Sequence, residues 1–176
     1  MVILIGEITD SGEVETSVEV IRQSFGTVAH QFGLTKENCP THPSFVTLEQ
    51  LKTLHAKGQR FFGLFQDGVQ VGFVAAEKIT EGEYALEKLA VLPSARHNGY
   101  GARLVRFVTD LAARQGARRL SLGMIDRHTV LKDWYKGLGF LETRTQEFSH
   151  LPFTVCFMEI ELTGDNAVNQ SGGGVR

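Results

Sequence analysis

"YALEKLAVLPSARHNGYGARL", residues 84–104, runs from an apolar stretch through a loop with two glycines into a helix-like segment. Residues 84–92 read as a strand, which Pro93 halts because proline has no N–H to donate to a ladder. Gly99 and Gly101 then stand one residue apart, with Arg96 three residues before the first. Helical signal resumes at Gly99 and continues to about Gln115, with Leu104, Val108 and Leu111 facing inward. Glycine in an ordered element costs roughly 0.5–1 kcal/mol against alanine, so this loop needs bare backbone.

Glycine loops that open helices commonly hold phosphates, because free N–H groups and the positive end of the helix dipole point the same way. A dinucleotide-binding loop requires a third glycine where Leu104 stands. The Gly-Lys-Ser/Thr of a nucleotide-triphosphate loop is absent. What remains is Arg96-x-x-Gly99-x-Gly101-Ala102 after a strand.

The rest of the chain gives this loop its setting. Residues 2–8 suggest a first strand. Val14, Val18, Ile21, Phe25, Val28 and Phe32 recur at gaps of four and three, marking one face of a long helix that Gly33 can end. Residues 34–45 read as a loop, and Thr47 with Gln50 fits a capping box opening a short helix to about Lys57. Residues 60–79 read as a hairpin turning at Gln66-Asp67-Gly68. A strand over 117–125, a short helix over 128–137 closed by Gly137, and strands over 140–149 and 153–162 complete the order. Strand–helix–strand units around 84–124 predict parallel pairing and the hairpins antiparallel pairing, so the class is α/β with a mixed sheet of six to seven strands and helices on both faces. One domain over 1–163 and a flexible tail over 164–176 are expected.

The 176 residues carry a net charge of −2, which gives no reason to expect nucleic acid or a membrane surface as partner. Cys39 and Cys156 are too few for a disulfide scaffold and too far apart for a zinc cluster, and no leader or spanning segment is apparent. A cytoplasmic protein without a metal is the expectation.

A second motif, "LKDWYKGLGF" at residues 131–140, follows the next strand. Together the two segments resemble the GNAT superfamily of acetyl-CoA-dependent N-acetyltransferases, in which an Arg/Gln-x-x-Gly-x-Gly/Ala loop is followed about thirty-five residues later by Tyr-x-x-x-Gly-Phe. The resemblance implies a splayed sheet and acetyl-CoA as co-substrate. It implies that N–H groups of His97, Asn98, Gly99, Tyr100, Gly101 and Ala102 contact the coenzyme pyrophosphate, with Arg96 adding charge. Backbone groups of Leu89, Ala90 and Val91 would bind the pantetheine arm and polarise the thioester carbonyl. Tyr135 would protonate the departing thiolate. Glu87, placed by strand alternation on the face of Leu89 and Val91, would help deprotonate the amine; the plainer reading pairs it with an Arg or Lys.

One position departs from the family. His128 stands where an Asn often contacts the coenzyme, and imidazole can donate a comparable hydrogen bond. Phe32, His42 and Phe45 are candidates for lining the amine pocket, while Arg103 and Arg106 read as a solvated helix face. The implied reaction is acetyl transfer to a primary amine, of a small molecule, by direct attack in a ternary complex. Alternatives left open are a protein lysine or N-terminus as acceptor, and a non-catalytic acyl-CoA-binding module. Edge strands near 140–162 leave room for a homodimer.

Overall fold

The computed structural model describes residues 1–163; the expected tail over 164–176 lies outside the described residues. Strand β1 (Ile3–Ile8) leads through Asp10, whose carboxylate accepts the N–H groups of Gly12 and Glu13, into helix α1 (Ser11–Phe32). That helix ends at Gly33, where φ is 63°. A 3-10 turn at Pro43–Phe45 precedes α2 (Leu48–Ala56), and the Thr47–Gln50 capping box is formed in both directions. The hairpin of β2 (Arg60–Gln66) and β3 (Val69–Thr80) turns on Asp67 and Gly68, both at positive φ. Strand β4 (Glu83–Val91), helix α3 (Tyr100–Arg114), strand β5 (Arg119–Ile125), helix α4 (Thr129–Gly137), and strands β6 (Leu141–Glu147) and β7 (Thr154–Glu161) follow in the expected order.

The seven strands form one sheet in the order β1-β2-β3-β4-β5-β7-β6, and only the β4–β5 pair is parallel. That pair meets solely where Glu83–Ala85 lie against Arg119–Ser121. Beyond it β4 follows β3, β5 follows β7, and the sheet splits. Helices cover both faces. Leu104, Val105 and Val108 of α3 and Tyr135 of α4 pack with Phe62, Leu64 and Val74, while Val14, Val20 and Ile21 of α1 and Leu51 of α2 pack with Phe61, Phe73 and Ala75.

One local expectation is refined and one corrected. Gly137 is the last residue of α4, as expected, and the left-handed turn that reverses the chain follows at Gly139, whose φ is 100° and whose absent Cβ would stand 3.1 Å from Ile160. The buried stripe of α1 is also rotated from the apolar pattern: Ser17 and Ser24 are buried, whereas Val18, Phe25, Val28 and Phe32 are only partly covered. Ser17 is accommodated because Gln70 of β3 donates to its hydroxyl at 2.9 Å.

Candidate active site

The split between β4 and β5 gathers most of the candidate residues. On the β4 side a bulge decides which groups face it. Phe73 lies opposite Ala90 but Ala75 opposite Glu87, so β4 carries one residue more than β3 there, and Lys88 takes a φ of 50°. The bulge breaks strand alternation. Glu87 therefore shares the face of Ala75, under α1 and α2, and not the face of Leu89 and Val91, which pack toward α3. The expected shared face is corrected on this point.

The bulge also sorts the backbone groups. Leu92 N–H bonds Val71 C=O at 2.9 Å, so by antiparallel alternation Ala90 bonds to Phe73 while Leu89 and Val91 turn their polar groups to the open side. Val91 N–H donates to Ser24 Oγ of α1 at 3.2 Å.

Glu87 is half-buried, and its carboxylate has no hydrogen-bond or ion-pair partner among the described residues. Burial holds its pKa above the ordinary value; the charge of Lys88 opposes the shift and that of Glu77 adds to it. The strand-end pairing with Arg or Lys does not form.

At the end of β4 the loop turns into α3. His97 and Gly99 both have positive φ, 64° and 75°, and Asn98 donates its side-chain amide to the carbonyls of Ala95 and Arg96. No side chain caps α3. The first bond back is from Arg103 N–H to Gly99 C=O, which leaves the N–H groups of Tyr100, Gly101 and Ala102 without an acceptor among the described residues. This is the arrangement that favours an anion. The Tyr100 side chain is core, its hydroxyl donating to Gln66. Arg96 does not point its charge along the loop: its guanidinium donates to Ser24 C=O at 2.9 Å and Thr27 Oγ1 at 3.0 Å, tying the loop to α1. Arg103 and Arg106 are exposed, as expected of a solvated face.

Helix α4 brings Tyr135 to the α3 side of the sheet. Its ring is 5% exposed, edge-on to Trp134 and Phe140. Its hydroxyl has no hydrogen-bond partner among the described residues, and it is not among the unpartnered polar atoms sealed from solvent there, of which Gln59 Oε1 is the one. The ring is packed. Burial raises the phenol above its ordinary pKa, so it holds its proton throughout the neutral range. Glu87 and Tyr135 thus belong to opposite faces of the sheet.

His128 caps α4, its Nδ1 accepting Leu131 N–H at 3.4 Å. That bond places the proton of the neutral ring on Nε2, and burial shifts the pKa downward, toward the neutral form. Its ring lies 5.2 Å from that of Phe32, over which Arg127 also stacks. His42 meets Phe25 and Phe45 in a separate group. The three proposed pocket residues are therefore not one cluster. His42 is turned inward, 7% exposed, with Nδ1 2.7 Å from Ser44 Oγ, and burial lowers its pKa to about 4. Cys39 is wholly buried and burial raises its pKa, which leaves it a poor nucleophile.

One feature escaped sequence reasoning. A cleft of about 480 Å³ opens beside the end of β5, lined by Asp126, Arg127, Glu147, Phe148, Leu151 and Phe153. Leu151 and Phe153 pack with Phe32 in a small apolar cluster, so the cleft adjoins His128 and the start of α4. The aromatic loop between the last two strands was its signal in the sequence.

The architecture is that of solved acetyltransferases. The ribosomal-protein-S18-alanine N-acetyltransferase of Escherichia coli superposes with a TM-score of 0.73 at 15% identity, over 92% of this chain and 95% of that one. The PaiA N-acetyltransferase of Thermoplasma acidophilum, solved in complex with coenzyme A, superposes with a TM-score of 0.71 at 20% identity, over 92% and 99%. In sequence the chain is 29% identical over 125 residues to an aminoglycoside N(6′)-acetyltransferase type 1 of Salmonella typhimurium, covering 65% of this chain and 85% of the relative. Residues 27–140 match the model of the acetyltransferase (GNAT) family, and this chain belongs to that family and is an acyltransferase.

Proposed function

We propose that the protein transfers an acetyl group from acetyl-CoA to the primary amine of a small molecule by direct attack in a ternary complex. The observation that carries this reading is the uncapped N-terminus of α3 opening at the split between β4 and β5. The N–H groups of Tyr100, Gly101 and Ala102 fit a diphosphate, and the β4 edge at Leu89 and Val91, which β5 leaves open and where Ser24 Oγ holds the Val91 N–H, fits an extended amide-bearing arm. The co-substrate supplies the activated acyl group. Glu87 takes the proton of the incoming ammonium, directly or through water, from the α1 side. Val91 N–H holds the developing oxyanion, and Tyr135 gives its proton to the leaving sulfur from the α3 side. The named activity of the Salmonella relative supports a small-molecule amine.

The test is thiol release from acetyl-CoA over a panel of kanamycin, spermidine, phenethylamine, a lysine peptide and a peptide with a free N-terminus. Turnover with a small amine supports the reading. Turnover with peptides alone assigns a protein acceptor, and coenzyme binding without any release assigns a binding module. Tyr135→Phe is expected to lower kcat roughly 100-fold with the coenzyme Kd little changed, the size usual for a lost general acid. Unchanged turnover removes Tyr135 from the reaction.

A further inference from the structure

We propose that Lys132 is a positioning residue for the reaction, its ammonium holding the turn of α4 that presents Trp134 and Tyr135 to the split in the sheet. The inference rests on the reading of Tyr135 as proton donor.

Nine residues are too few for a helix to be stable by itself, so α4 depends on what anchors it. Lys132 lies one turn before Tyr135. Its Nζ is 2.5 Å from Asp126 Oδ1, just past β5, and 3.0 Å from Glu142 Oε1 on β6, with the side chain only 13% exposed. Cys156 of β7 donates its thiol to the same Glu142 oxygen at 3.5 Å. Ligand atoms of Asp126, Glu142 and Cys156 lie within 4.8 Å of one another, as in a small cation site, and the cation among them is the chain's own ammonium. One side chain thus ties α4 to the end of β5, on the open side of the split, and to the edge strand β6. Asp126 also lines the cleft beside the end of β5, so the same anchor reaches one wall of that cleft.

Lys136 offers an internal control. It pairs with the other oxygen of Glu142 at 2.8 Å, but its side chain is 44% exposed, and exposed pairs contribute little. The two carboxylates, Asp126 first, raise the Lys132 pKa, so the tether keeps its charge across any assay range.

The experiment compares Lys132→Met, Lys132→Arg, Lys136→Met and Glu142→Gln, each alone and with Tyr135→Phe, using the amine of the panel that turns over fastest. Lys132→Met is expected to lower kcat about tenfold or more with the acetyl-CoA Kd nearly unchanged, as for a contribution made only in the transition state. Lys132→Arg should recover most of that rate, and Lys136→Met should match the parent. Glu142→Gln should show the Lys132→Met defect in weaker form, which keeps the test open if Lys132→Met folds poorly. In the Tyr135→Phe background the loss from Lys132→Met should vanish, because two residues acting through one group are not additive. Acrylamide quenching of Trp134, the only tryptophan, should rise in Lys132→Met whatever the amine. Parental kcat and quenching in Lys132→Met, or a full loss repeated without the Tyr135 hydroxyl, overturns the proposal. Parental turnover in Tyr135→Phe overturns instead the reading beneath it.

Discussion

The benzo edge of the Trp134 indole stands 3.3 Å from where a Cβ on Gly101 would lie. The first turn of α3 is therefore packed against α4 with only a hydrogen between them. Gly99 is glycine for a different reason: a Cβ there meets nothing, but φ is 75°. Gly101→Val is expected to lose about 1–3 kcal/mol through overpacking. Trp134→Ala in the same chain should relieve much of that loss. Gly99→Ala should lose roughly 1–2 kcal/mol from its left-handed backbone, with no relief from Trp134→Ala. Urea midpoints of the single and double variants check both. Equal losses with and without the indole would show that the contact does not govern Gly101.

Glu87 ties stability to activity in opposite directions. Its pKa in the fold is raised, so its contribution favours folding below the ordinary carboxylate value and is lost as pH rises through the raised one. At neutral pH the parent therefore carries a cost that a neutral amide lacks. Glu87→Gln is expected to melt higher than the parent at pH 7, with the difference disappearing below the unfolded value of about 4.3, while kcat/KM falls. The parent's acidic limb in kcat/KM should lie above the usual carboxylate range and be absent in the variant. A variant that melts lower at pH 7, or keeps the limb, removes Glu87 from this role.

Features set by local chemistry were legible in the sequence. The Thr47 capping box, the Asp67-Gly68 turn and the Gly33 helix end each depend on a few adjacent residues, and each stands as read. The order of strands and helices followed from periodicity in the same way. The bulge at Lys88 was not legible, because lysine gives no sign of positive φ; it arises from pairing with β3, and it moved Glu87 to the other face. The helix end at Gly137 was legible, whereas the positive φ of Gly139 and its fit against Ile160 depend on β7 and were not. Arg96 looked like a ligand for phosphate because its partners, Ser24 and Thr27, are some seventy residues away in the chain. The Lys132 cluster draws on three strands' ends and one helix, and no short window contains it.

Ser24 competes for an amide that the proposed reaction uses. Its Oγ accepts Val91 N–H, and removing it leaves that donor without a protein acceptor. Ser24→Ala is expected to destabilise the free protein by about 1 kcal/mol. Coenzyme binding should hold or tighten, since the N–H no longer has to exchange one acceptor for another. Calorimetric titration with acetyl-CoA beside a thermal melt separates the two effects. Weaker binding would mean that Ser24 supports the bound state and does not compete with it.

His42 makes the loop between α1 and α2 sensitive to acid. Buried with Nδ1 committed to Ser44, it resists protonation down to about pH 4, whereas the unfolded chain takes up that proton near 6.5. Between those values the unfolded state binds more protons, so stability falls as pH falls, and below the lower value the loss stops growing. His42→Gln keeps a side chain that can bond Ser44 but removes the titration. The parent should therefore lose unfolding free energy from pH 6.5 down to about pH 4 more steeply than His42→Gln, read from urea unfolding at half-unit steps. Because the carboxylates of both proteins titrate alike, the difference between the two curves isolates the imidazole. Parallel curves would place the His42 ring in contact with solvent and return it to the candidates for meeting the acceptor amine.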